Sequence, residues 1–108
     1  MLTQTDKIRA YNDEFRTTLN ARLGKVLLTP DASSADTGAL LSRVMAYATF
    51  TEANDPYDEH DFGSFEHGGT NYFWKIDYYD PTLESGSDDP ADPQQTTRVL
   101  TIMSASEY

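Results

Sequence analysis

Four carboxylates and one imidazole fall within seven residues at Asp55-Pro-Tyr57-Asp58-Glu59-His60-Asp61, the densest gathering of chemically capable side chains in the sequence. Oxygen-rich groups of this kind can hold a hard cation. A calcium loop, however, needs acids at alternate positions followed by a glycine and a distal glutamate, and that spacing is absent. A metal centre built here would be centred on Asp58, His60 and Asp61; the plainer reading is a solvated acidic turn with no cofactor. His60 and His67 stand seven positions apart at opposite ends of a short segment. A zinc pair more often sits at i, i+4 on a helix or face to face across strands. His60 is therefore expected to orient its acidic neighbours by hydrogen bonds, and His67 to belong to a turn.

No frame for catalysis surrounds the other reactive types. The serines lack a GxSxG elbow, no glycine-rich loop is built to cradle phosphate, and Lys75-Ile76-Asp77 has the residue types of a nuclease core in the wrong order. The chain is read as a non-enzyme with no catalytic residues. The stripe Tyr72, Phe73, Trp74, Tyr78, Tyr79 has only Lys75 nearby to attract phosphate, so packing is the better reading than base stacking. One face of that stripe should enter the core, leaving Phe73 and Tyr79 outward beside Lys75 and Asp77.

Charge separates the two halves of the chain. The net charge is −10; residues 1–50 carry six basic and five acidic side chains, whereas residues 51–108 carry two and thirteen. An excess of that sign repels phosphate backbones and anionic membrane surfaces, so neither direct nucleic-acid binding nor membrane binding is expected. A basic protein surface is the natural partner. The docking face would be built from Asp55, Asp58, Glu59, Asp61, Glu84, Asp88, Asp89 and Asp92, with Tyr57 and Tyr79 as aromatic anchors.

The elements that must position these residues follow from periodicity. Ile8, Tyr11, Phe15 and Leu19 recur at helical spacing behind Thr3 and Asp6, which resemble a capping box, predicting a helix over 3–23 with Gly24 at its C-cap. Val26, Leu27 and Leu28 predict a strand over 25–29. Leu40, Leu41, Val44, Tyr47 and Ala48 share one face of a helix over 35–50. Phe62 to Glu66 and Asn71 to Tyr79 flank Gly68-Gly69, the signature of a hairpin with strands 62–66 and 71–79. A proline-rich acidic connection fills 80–95, and a last strand covers 97–103. The order α-β-α-β-β-β predicts an α+β domain: an antiparallel sheet of three to four strands with both helices packed on one face. The neighbour of the first strand does not follow from local pattern.

A length of 108 residues bounds the chain to one domain over 1–108. Without cysteine its stability must come from packing and hydrogen bonds. The charged N-terminus has no apolar leader segment, and no stretch approaches a membrane span, so a cytoplasmic location is expected.

The runs NDPYDEHDFGSF, FWKIDYYD and SDDPADPQQTTRVLTIM, a terminal EY, and GKVLLTP upstream resemble the bacterial family known as domain of unknown function 3768. The resemblance spans the whole chain and is strongest from Asn54 to Met103. It implies a bacterial origin, often close to mobile genetic elements, and brings no established activity. The leading expectation is an acidic protein-binding module that mimics nucleic acid and inhibits a host defence complex, by anti-CRISPR or anti-restriction action. A small metal-binding protein or metal-dependent enzyme centred on 55–61, and a housekeeping domain that forms a homodimer through an exposed sheet edge, are the alternatives.

Overall fold

Helix α1 spans Gln4–Thr18 and starts where the side chain of Thr3 accepts the Asp6 N–H while Asp6 accepts the Thr3 N–H. The computed structural model describes residues 2–108. Ile8 and Phe15 bury the apolar side of α1. The helix ends five residues before the expected boundary. The hydroxyls of Thr17 and Thr18 turn back onto the carbonyls of Asp13 and Glu14, and Leu19 takes a left-handed cap with φ 55. Asn20 then accepts the Arg22 N–H in a tight turn that delivers Leu23 to the core.

Strand β1 (Gly24–Leu28) begins at the glycine expected to cap the helix. Gly24 is required for close approach: a Cβ there would lie 2.1 Å from the Arg98 carbonyl oxygen of the neighbouring strand. The helix expected over 35–50 is the shorter α3 (Thr37–Met45), and the turn before it holds an unexpected one-turn helix, α2 (Pro30–Ser33). Pro30 suits the first turn of α2, where its missing N–H costs nothing, and Asp36 caps α3 by accepting the Ala39 N–H. Tyr47 and Phe50 continue the helical spacing in sequence but lie beyond the helix. They pack edge-on against each other, at 5.1 Å, and against Trp74, at 5.5 and 6.1 Å.

The hairpin forms as expected from β2 (Phe62–His67) and β3 (Thr70–Tyr79), with Gly68 and Gly69 at φ 60 and 81 in its two-residue turn. Strand β4 (Thr97–Ser104) pairs antiparallel with β3, and a short 3-10 turn (Ala105–Glu107) follows. The sheet order is β1-β4-β3-β2, and β1 runs parallel to β4 with Val26 opposite Leu100. The sheet is therefore mixed where an antiparallel one was expected. Both helices longer than one turn pack on one face, over Tyr72, Trp74, Ile76, Leu100 and Ile102, which form a core with Phe15, Leu40 and Val44. Each fully buried side chain of this size contributes about 1.5–3 kcal/mol of transfer free energy. Phe73, Lys75, Asp77 and Tyr79 alternate to the other face, where Tyr108 packs over Phe62 and Phe73. No helix among the described residues is long and apolar enough to cross a membrane.

Candidate functional site

Flanking its apolar side, α1 carries Arg9, Asn12, Asp13 and Arg16, spaced three, one and three residues apart and so aligned along one helical face, with Asn12 and Arg16 buried beside Ile8 and Phe15. Three of them hold consecutive residues of the acidic connection between α3 and β2. Arg9 donates to the Asp58 carbonyl at 2.9 Å and to its carboxylate at 2.8 Å, Asn12 donates to the Glu59 carbonyl at 2.9 Å, and Asp13 meets His60 Nδ1 at 2.9 Å. The fourth, Arg16, donates to the carbonyls of Val44, Met45 and Tyr47, which ends α3 and stops it running on to Phe50. The guanidinium lies over the rings of Phe50 and Trp74.

The connection needs this support. Asp58 and His60 both have left-handed backbones, with φ 58 and 55, which strain non-glycine residues but which Asp and His accept more readily than most. Asp55 holds the turn from inside: its buried carboxylate accepts the N–H groups of Glu59 and His60 at 3.0–3.2 Å. The His60 ring stacks on Phe50 with centroids 3.8 Å apart and planes 5° from parallel. Asp61 is half-buried, and that burial, reinforced by the carboxylates of Glu59, Asp55 and Asp77, holds its carboxyl above the usual range.

A buried polar chain then links this segment to the second acidic one. Asn12, fully buried, accepts from Arg98 Nε at 2.7 Å and donates to the Tyr78 hydroxyl at 2.8 Å, which in turn donates to the Glu59 carboxylate at 2.7 Å. Arg98 is also fully buried, lies between the rings of Tyr11 and Tyr78, and donates to the Pro90 carbonyl at 2.7 Å. Burial pulls its guanidinium below the ordinary arginine range, and burial likewise pushes the Tyr78 hydroxyl up. Arg98 thus joins the two segments through neutral groups and makes no direct bond to their carboxylates, the Glu59 carboxylate being reached through Tyr78.

The 80–95 connection folds into successive side-chain-capped turns. Asp80 accepts from the Thr82 hydroxyl and N–H, the Ser85 hydroxyl and the Glu84 N–H, which lowers its carboxyl to about 2. Asp89 accepts the Ala91 N–H and the Gln4 side-chain amide of α1, and Asp92 accepts from the Gln94 N–H and the Gln95 side chain. Gln4 touches Asp89 and Arg9 touches Asp58, five residues or about 7.5 Å of helix rise apart. The two acidic segments therefore flank the first half of α1.

The expected docking residues divide accordingly. Asp58, Glu84 and Asp88 are exposed, and Glu59, Asp61, Asp89 and Asp92 are half-buried. Asp55 leaves the surface, because its carboxylate is turned inward to hold the turn. Tyr57 is 79% exposed beside Asp58, whereas Tyr79 faces the open side of the sheet in a separate hollow with Leu27, Lys75 and Leu83. Asp55, not Asp61, joins Asp58 and His60 in the single group of metal-capable side chains found among the described residues. The residues that sequence reading missed are Arg9, Asn12, Asp13 and Arg16. Their signal is the polar stripe on α1 beside its apolar periodicity.

No curated protein and no solved structure matches the chain. The family model described as a protein of unknown function (DUF3768) matches residues 27–107, from within β1 to the C-terminal turn. The match is narrower than the whole-chain resemblance expected, and α1 with its polar stripe precedes the matched segment. Since those residues make up most of the sequence, including both acidic segments, the chain belongs to the DUF3768 family.

Proposed function

We propose that the chain is a protein-binding module that docks an acidic face onto a basic groove. The observation that carries this reading is the hydrogen-bonded path from the Glu59 carbonyl through Asn12 and Arg98 to the Pro90 carbonyl. It ties the 55–61 and 87–92 segments to each other without a direct ion pair to their carboxylates. Among the described residues, Arg9 is the only lysine or arginine ion-paired to either segment, and it faces Asp58 alone there. Asp61, Asp88, Asp89 and Asp92 have no lysine or arginine ion-pair partner among the described residues, while Glu59 is held by the Tyr78 hydroxyl near the buried Arg98. A rigid rank of carboxylates resembles a phosphate backbone, which carries one charge per about 1.7 Å of duplex axis. The favoured partner is accordingly a nucleic-acid-binding protein, and in its finest form the module acts as a nucleic-acid mimic against a host defence complex. Tyr57 offers the aromatic anchor at the rim of the face.

Affinity capture from a nuclease-treated bacterial lysate tests the reading. The wild-type chain is expected to enrich basic, nucleic-acid-binding proteins and to lose them with added salt. The D88N/D89N/D92N variant keeps the side-chain oxygens that cap the turns while removing three charges, so its capture should fall with the fold intact. Equal capture by that variant would remove the 87–92 segment from the face.

A further inference from the structure

His60 has one ring nitrogen engaged and one without a hydrogen-bond partner. Asp13 offers only acceptor oxygens, so its 2.9 Å contact requires the hydrogen of a neutral ring to sit on Nδ1. In that neutral ring the lone pair is on Nε2, which lies 3.7 Å from Asp55 Oδ2 and 3.9 Å from Asp58 Oδ1. Both distances are too long for hydrogen bonds. They are close to the separation of two ligands on one ion: atoms about 2.1 Å from a tetrahedral centre lie about 3.4 Å apart.

We propose that His60 Nε2, Asp55 and Asp58 form a binding site for a divalent first-row transition ion, with Asp13 as the positioning carboxylate behind the histidine. One atom from each ligand lies within 4.8 Å of those from the other two. Each ligand is also held from elsewhere in the fold. Asp55 accepts two backbone N–H groups, the second oxygen of Asp58 is bound by Arg9, and His60 is fixed by Asp13 and by the Phe50 stack. A carboxylate behind a metal-binding imidazole is the usual way to fix its tautomer and raise its basicity. A hollow of about 430 Å³ opens over the three ligands, with Glu52 also lining it, and leaves room for solvent ligands. One imidazole and two carboxylates suit zinc or manganese, whereas calcium prefers six to eight oxygens. The site uses an α1 residue, Asp13, that lies 47 positions from His60, and it needs no protein partner, although it shares Asp58 with the docking face.

Calorimetric titration of the full chain with zinc, manganese and calcium chlorides tests the site. One zinc per chain is expected, with calcium at least about tenfold weaker. H60Q and D58N should each abolish the zinc heat, and D13N should weaken it by about 10- to 100-fold. H67Q should leave it unchanged. Nitrogen-detected NMR of the two histidine rings supplies a readout that a folding defect would not mimic. In the wild type the His60 Nε2 resonance should move with zinc while Nδ1 stays protonated, and D13N should lower the population of the Nδ1–H tautomer. Absence of zinc heat, zinc binding that survives both H60Q and D58N, a zinc-dependent shift at His67 instead of His60, or calcium binding as tight as zinc would each overturn the proposal.

Discussion

Replacing Asn12 with leucine keeps the heavy-atom count and branching of a fully buried side chain and deletes its three hydrogen bonds. Those to the Glu59 carbonyl and the Tyr78 hydroxyl are between neutral groups and contribute about 1 kcal/mol each, while the one from the Arg98 guanidinium is charge-assisted and contributes about 1.5–3 kcal/mol. Because the three share one side chain they do not add fully, which sets the expected loss at about 3–4 kcal/mol. For a domain of this size that lowers Tm by about 12 °C or more. Urea unfolding followed through Trp74, the only tryptophan and fully buried, reads the loss directly. Hydrogen exchange adds the structural consequence. The amides of Glu59 and His60, and those near Pro90, should lose protection together, since both segments hang on the same side chain. A loss below about 1 kcal/mol, or exposure of one segment without the other, would refute Asn12 as the link between them.

Two further predictions concern carboxylates with opposite shifts. Asp61 has its folded-state pKa raised by burial and by neighbouring acids, so the folded chain binds the proton more tightly than the unfolded chain does. Its favourable contribution is present at low pH and is lost as pH rises through the folded value. D61N should therefore raise Tm at neutral pH and make no difference below the ordinary aspartate range, as measured by thermal scans across pH. Asp80 is lowered to about 2, so it stabilises the fold above the ordinary aspartate range and loses that effect as pH falls towards 2. D80A should lower Tm at neutral pH and converge with the wild type in strong acid.

The local devices were legible in the sequence. Thr3 and Asp6 announced the start of α1, Gly68 and Gly69 the hairpin, and the alternation from Tyr72 to Tyr79 the two faces of β3. Long-range pairing was not. The parallel contact of β1 with β4 joins residues more than seventy positions apart, and no local pattern specifies it. The end of α3 was misplaced because Tyr47 and Phe50 repeat at helical spacing, yet Trp74 and Arg16 use them outside a helix. At the site, the residue types of 55–61 were visible, but their roles were set by α1. Asp55 turned inward because the strained backbone at Asp58 and His60 needed an acceptor, and Asp13 reached His60 from 47 residues away. Gln4 and Arg9 brought the acidic segments to the same helix, a convergence that composition could suggest only as an excess of charge.

The rate at which a captured basic partner associates with the chain, measured between about 50 and 200 mM salt, bears most directly on the acidic face. The wild-type rate should fall steeply with salt, and a D58N/E59Q/D88N/D89N variant should start at least about tenfold slower and respond weakly, with dissociation less affected. An association rate indifferent to both salt and these four substitutions would contradict docking through carboxylates gathered around α1.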